Sequence, residues 1–377
     1  MLTLIVASLF IPAVKAEGDS LNLSSEAAIL MDAESGKILY EKNTQEQLPM
    51  ASMTKIMSML LIMENIEEGN LTYEDKVLIS ENASGMGGSQ VFLQAGEEYT
   101  VSDLLKCIAV SSANDAVVAM AEKISGSVDA FVTLMNERAK ELGLENTNFA
   151  NPHGLDDENH YSTAYDMAVM ARELLKHEDI LKYTSIYEDY LTKPDGSQVW
   201  LVNTNRLVRF YDGVDGLKTG YTTEAGYCLT ATAKKSDLRL ISVVMKSPSA
   251  EARSSDTSTL LSYGFNSFKN NIIYSKDKSL GTVRVEKGKI EEIEVYLKED
   301  ATEILSVTEK PSDYSFNIKV DKIISPVKAG TVVGTAEIID NNGNIIKEVE
   351  IIVKEDIESA GFFDYLKQSF KFITSGI

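Results

Sequence analysis

Ser52 and Lys55 place a hydroxyl and an amine three residues apart in MASMTKIMSMLLIM, Met50 to Met63. On a helix that spacing puts both side chains on one face. No other charge occurs in the run before Glu64. An amine packed among Met, Leu and Ile loses hydration, which lowers its pKa and makes the neutral base accessible near neutral pH. A neutral amine within reach of a serine hydroxyl can take its proton and create a nucleophile. Alone this pattern is weak, because a capping serine followed by a snorkelling lysine has the same spelling.

Two further motifs change that balance. Ser112-Ala113-Asn114 interrupts a helical pattern with side chains that both donate and accept hydrogen bonds. Lys218-Thr219-Gly220 combines a cation, a hydroxyl and a glycine in a strand-like stretch, which suits close approach to an anionic ligand. A helix cap and an edge-strand turn are the bland readings of the two. The joint occurrence in the order S-x-x-K, S-x-N, K-T-G is much harder to attribute to chance.

The elements that must position these motifs follow from periodicity. Ser24 to Lys42 reads as two strands joined at Glu34-Ser35-Gly36-Lys37. The apolar helix follows, then a helical stretch from Thr100 broken near Ser111 to Asn114. SVDAFVTLMNERAKELGL is helical and stops at Gly143, and STAYDMAVMARELLKH is helical with Ser162 or Thr163 as its cap. Tyr227 to Met245 reads as a hairpin around Lys235-Ser236-Asp237, and SSDTSTLLSYGFNSF as a closing helix. Strands, helices, then strands predict an α/β domain whose sheet uses both ends of the segment. The predicted organisation is a signal peptide over 1–16, a catalytic domain over 17–271, an all-β domain over 272–354 and an amphipathic helix over 355–377. In that terminal segment Phe362, Phe363, Leu366, Phe370, Ile373 and Ile377 share one face, as in helices that lie in a membrane surface.

Composition excludes other classes. The net charge of −21 repels phosphate backbones and argues against a nucleic-acid partner. Cys107 and Cys228 lie far apart and no histidine sits at ligand spacing, so no zinc pattern is present and no cofactor is implied. The two cysteines fall in helical and strand-like stretches and read as buried small apolar side chains, with a disulfide left open. Asp340 to Asn344 is a hairpin turn, not a calcium loop, because its glycine is misplaced and no closing Glu follows.

On its three motifs the sequence resembles the penicillin-recognising serine enzymes. Within them it is most similar to the low-molecular-mass D-alanyl-D-alanine carboxypeptidases. The resemblance extends through NTNFANPHGLDDENHYSTAYDMAVMAREL, EAGYCLTATA, the β domain and the terminal helix. It implies a β-lactamase/transpeptidase-like fold with an antiparallel sheet flanked by helices. It implies Ser52 as the acylated nucleophile, Lys55 as general base, and Ser112 and Asn114 as proton relay and peptide anchor. Lys218 and Thr219 would help bind the terminal carboxylate, with Gly220 keeping the strand approachable, and the N–H groups of Ser52 and Tyr221 would form the oxyanion hole. Arg253 matches an arginine beside that carboxylate, and SGMGGSQ, Ser84 to Gln90, a mobile loop bordering the site. Substrate partners would be peptidoglycan stem peptides ending in D-Ala-D-Ala, with β-lactams as acylating inhibitors, on the outer face of a bacterial cytoplasmic membrane.

Rival readings fare less well. A Ser-His-Asp hydrolase needs a positioned histidine, and the chain has only His153, His160 and His177, with no G-x-S-x-G elbow. A class A β-lactamase shares the motifs and needs a glutamate-directed water. Glu141, Glu145 and Glu158 fall in the relevant region, in surroundings of the carboxypeptidase pattern. The non-enzymatic alternative is a catalytically feeble peptidoglycan-binding protein held at a membrane.

Overall fold

The computed structural model describes residues 21–365. Two compact units divide between Asn266 and Ser267. The predicted signal peptide lies outside the described residues.

In the first unit, strands β1 (Ala27–Asp32), β2 (Ile38–Lys42), β3 (Val214–Thr222), β4 (Gly226–Lys235) and β5 (Leu238–Ser247) form one sheet in the order β2-β1-β5-β4-β3. All four pairings are antiparallel, so both ends of the segment meet in one sheet as the pattern predicts. Every residue of β1 is buried, because helices cover both faces. Ile29 and Met31 join the large helical core on one side. On the other side helix Ala250–Ser267 comes so close that a Cβ on Gly264 would sit 2.5 Å from Leu240 and 2.9 Å from Leu30. Strand β3, with Lys218-Thr219-Gly220, closes one edge.

Helix α1 (Lys55–Glu67) runs through the middle of this unit. Ile56, Met57, Met59, Leu60, Leu61, Ile62 and Met63 are all buried, which explains a helix apolar on nearly every face. Each such side chain contributes roughly 1.5–3 kcal/mol of burial, enough to hold a lysine away from water at the same helix's start. Helices α2 (Val101–Ser111) and α3 (Asn114–Ser125) follow, interrupted where Ser112 adopts a left-handed conformation, φ 61°. Helix α4 (Val128–Glu141) ends before Gly143 at φ 72°, and Thr163 caps α5 (Ala164–Leu174) by accepting the Asp166 N–H. A hairpin of Glu188–Thr192 and Gln198–Val202 was not legible as strands in the sequence.

The second unit is all β. A six-stranded sheet runs in the order 315–320, 332–339, 345–353, 292–297, 279–286, 323–324, beside a two-stranded pair of 268–274 with 301–306. Its own core gathers Val295, Leu297, Ala336, Ile338, Val349, Ile351 and Val353. The unit begins earlier than the composition change suggests, because Phe268–Tyr274 already pairs with Ala301–Ser306. At its far end Ile357 and Ser359 bridge to Val327 and Gly288, and helical backbone begins only at Phe362. The helix expected over 355–377 therefore does not start at 355. Residues 366–377 lie outside the described residues, and no described helix is long and apolar enough to cross a membrane. Cys107 and Cys228 are buried free thiols.

Candidate active site

Ser52 sits in a 3-10 turn, Ala51–Thr54, that leads directly into α1. Lys55, the first residue of α1, is completely buried, and its Nζ has three oxygen partners. These are Ser52 Oγ at 3.0 Å, Asn114 Oδ1 at 2.7 Å and the His153 carbonyl at 2.6 Å. Asn114 Nδ2 donates to the Gly87 carbonyl at 2.7 Å, which fixes Oδ1 toward the lysine. Two of the three partners can only accept. A neutral amine has two N–H groups for them and one lone pair left, which faces Ser52 Oγ. Burial, reinforced by the charge of Lys218 and opposed by Asp115, holds the Lys55 amine well below the usual lysine range. Geometry and protonation thus agree on a base aimed at one hydroxyl.

Asn114 reaches Lys55 from the break between α2 and α3, and Ser112 stands two residues before it in that break. Ser112 Oγ is buried without a protein partner among the described residues, so its proton and lone pairs are uncommitted. The Asn114 N–H donates to the Ser89 carbonyl at 2.7 Å, and Asp115 receives the N–H groups of Val91 and Leu93 at 3.1 Å each. The glycine-rich loop over Ser84 to Gln90 is therefore tied to α3 at Gly87 and Ser89.

The edge strand β3 supplies the third motif. A Cβ on Gly220 would stand 2.7 Å from the Met50 carbonyl and 3.2 Å from Ser52 N, so only glycine lets the strand pass this close. Lys218 is buried, and burial with the Arg253 charge lowers its amine to about 7. Its one partner among the described residues is the Thr219 carbonyl, at 3.1 Å. Thr219 Oγ1 donates to Thr204 Oγ1 at 2.7 Å. Arg253 is largely buried, and its Nε has no partner among the described residues. Tyr221 continues β3 with an exposed ring packed at 31° against Tyr227, centroids 4.3 Å apart.

The structure thus brings Ser52, Lys55, Asn114 and Gly220 into one constellation, with Ser112, Lys218, Thr219 and Arg253 around it. Sequence reasoning missed the 150–160 loop as a participant. Its His153 carbonyl binds Lys55, its Pro152 carbonyl accepts from Ser58 at 2.8 Å, and Gly154 packs on the Ala51 carbonyl. A backbone carbonyl leaves no trace in residue types. Two histidines lie near Ser52, and their rings bond elsewhere: His160 Nε2 pairs with Thr54 Oγ1, and His153 Nδ1 accepts the Leu155 N–H at 3.2 Å. No group of three or more His, Cys, Asp or Glu among the described residues could hold a metal ion.

Comparison with known proteins identifies the family. A family profile described as D-alanyl-D-alanine carboxypeptidase matches residues 13–249, and one described as the penicillin-binding protein 5 C-terminal domain matches 268–359. The D-alanyl-D-alanine carboxypeptidase DacF of Bacillus subtilis (strain 168) is 48% identical over 346 residues, 92% of this chain and 89% of that protein. Penicillin-binding protein 5 from Haemophilus influenzae superposes with a TM-score of 0.69 at 32% identity, covering 89% of this chain and 98% of that one. Penicillin-binding protein D2 from Listeria monocytogenes, solved in its ampicillin-bound form, gives 0.59 at 33% identity over 66% of this chain and 100% of that one. By these matches the chain belongs to the D-alanyl-D-alanine carboxypeptidase family of serine peptidases, peptidase family S11.

Proposed function

We propose that this protein removes the terminal D-alanine from peptidoglycan stem peptides ending in D-Ala-D-Ala, through an acyl-enzyme on Ser52. The observation that carries the reading is the buried Lys55 amine, whose two carbonyl-type partners leave its lone pair for Ser52 Oγ. Ser52 Oγ attacks the carbonyl of the penultimate residue as its proton passes to Lys55 Nζ. The C–N bond breaks, that proton reaches the leaving amine by way of Ser112, and D-alanine departs. Water then hydrolyses the ester and regenerates the Ser52 hydroxyl. Asn114 holds the substrate amide. Lys218, Thr219 and Arg253 receive the terminal carboxylate, and the N–H groups of Ser52 and Tyr221 stabilise the oxyanion. Gly220 keeps the strand close enough for that pairing.

A β-lactam presents a similar acyl group and acylates the same serine, in keeping with the ampicillin-bound relative. The family matches support action outside the cytoplasm, and the exposed Phe362 and Phe363 suit an amphipathic anchor on the membrane surface. The test is release of free D-alanine from a D-Ala-D-Ala-terminated peptide by the purified protein, beside Ser52→Ala. Wild type releases D-alanine and takes up one fluorescent penicillin per chain, and Ser52→Ala does neither. Penicillin uptake without release would leave a binding role only.

A further inference from the structure

The peptide that joins Ala51 to Ser52 is planar, so the Ala51 carbonyl and the Ser52 N–H point in opposite directions and turn together. Whatever fixes the carbonyl fixes the direction of the amide. Thr54 Oγ1 donates to that carbonyl at 2.7 Å. The Lys55 N–H, which could have competed for it, bonds the Met53 and Ser52 carbonyls instead. On the other side of the hydroxyl, His160 Nε2 lies 2.6 Å from Thr54 Oγ1.

The donor and acceptor roles along this chain follow from its far end. His160 Nδ1 is 3.0 Å from the Ala150 N–H, a group that can only donate. Burial lowers His160 to about 4, against Asp157 and Asp156, so the ring is neutral at pH 7. A neutral imidazole that accepts at Nδ1 carries its hydrogen on Nε2. Nε2 therefore donates to Thr54 Oγ1, and the Thr54 hydrogen is committed to the Ala51 carbonyl. Both side chains are buried.

The same peptide is bounded by backbone on two faces. A Cβ on Gly154 would lie 2.0 Å from the Ala51 oxygen and 2.8 Å from Ser52 N, and one on Gly220 3.2 Å from Ser52 N. Ala51 itself is at φ 47°, a conformation a non-glycine residue keeps only where its surroundings impose it.

We infer that His160 and Thr54 are positioning residues, a relay from the 150–160 loop that aims the Ser52 N–H at the oxyanion without touching substrate. This rests on Ser52 being the acylated residue, and D-alanine release by the wild type is the control that fails if that reading does. The relay predicts different outcomes for variants of similar size. H160Q keeps a donor where Nε2 was, whereas H160N keeps only an acceptor where Nδ1 was. T54S keeps the hydroxyl, and T54V keeps the shape without it.

Measurement of kcat and KM for D-alanine release, and of the acylation rate by a fluorescent penicillin, separates them. T54V and H160N lose about ten- to a hundredfold in kcat and in acylation, below the cost of deleting an oxyanion donor, with KM little changed. T54S and H160Q recover most of that loss. T54V combined with H160N loses no more than the worse single variant, because the two act in series. Circular dichroism identifies folded variants, and the T54S/T54V pair alone decides the question if H160N does not fold. Wild-type kcat in T54V, equal losses in H160N and H160Q, or independent additive losses in the double variant would each overturn the relay.

Discussion

Lys55 and Lys218 are both buried in one unit, yet their surroundings differ in kind. Lys55 Nζ is enclosed by three oxygens between 2.6 and 3.0 Å, held by the 3-10 turn before α1, by α3 and by the 150–160 loop. Lys218 Nζ has a single carbonyl at 3.1 Å among the described residues, and its neighbour Arg253 has an unpartnered Nε. One side of the site is finished in the free protein, and the other has cationic groups in excess of their partners. Buried polar groups are normally satisfied, so this asymmetry fits the proposed division between a base with its geometry set and a receptor for an anion. Burial lowers both amines, and each has a second cation beside it. Lys218 falls to about 7, whereas Lys55, with Lys218 as an added cation beside it, is held well below the usual lysine range.

The largest effect is expected where the finished side is broken. Lys55→Arg retains charge and hydrogen bonding but never yields a neutral base. Acylation by a fluorescent penicillin should fall by about 10³-fold or more, the scale of losing a general base and its activated nucleophile. Stopped-flow labelling measures it, and an arginine variant within tenfold of wild type would place the base elsewhere.

Smaller effects are expected on the receiving side, and they depend on the substrate's end. Lys218→Met should lower kcat/KM by about tenfold to a hundredfold for a peptide with a free carboxylate, the range for a charged hydrogen bond. A peptide ending in an amide should be affected far less. Lys218 is charged only below its lowered pKa, so the free protein loses this cation as pH rises through about 7. In kcat/KM for the carboxylate peptide this gives a falling alkaline limb, at most about tenfold per pH unit. The acid limb belongs to Lys55, which must be neutral to act. Lys218→Arg stays charged and should remove the alkaline limb, and a limb unchanged in that variant would assign it to another group.

The two sides were also unequally legible in the sequence. Ser52, Lys55, Ser112, Asn114 and Lys218 announced themselves because reactive side chains stand where periodicity asks for apolar or capping residues. The strands and long helices were legible from period, and the break at Ser112 from its polar run. What stayed hidden acts through backbone. The His153 carbonyl, the Ala51 peptide and the glycines at 154 and 220 depend on chain direction, which residue type encodes weakly. The contact of His160 is equally hidden, because its partner, Thr54, lies 106 positions away in the sequence.

The loop that completes the base side carries a stability cost at low pH that the β unit does not share. His153 and His160 are both lowered to about 4, mainly by burial, and none of the three histidines lies beyond residue 266. Between about pH 6.5 and about pH 4 the unfolded chain binds protons at these rings that the folded chain refuses. Stability of the first unit therefore falls as pH drops through that window, by up to about 3 kcal/mol per histidine, and levels off below it. Asp32, Asp115 and Asp166 pull the other way. Burial raises all three, so the folded chain takes up their protons first and gains stability on acidification. A net curve mixes these opposing contributions, and the difference between wild type and H160Q isolates one ring. In urea unfolding followed at pH 7 and at pH 4.5, that difference should shift in favour of the glutamine variant at the lower pH. A difference independent of pH would mean that His160 is not buried as a neutral ring, and the donor order from Ala150 to Ala51 would lose its starting point.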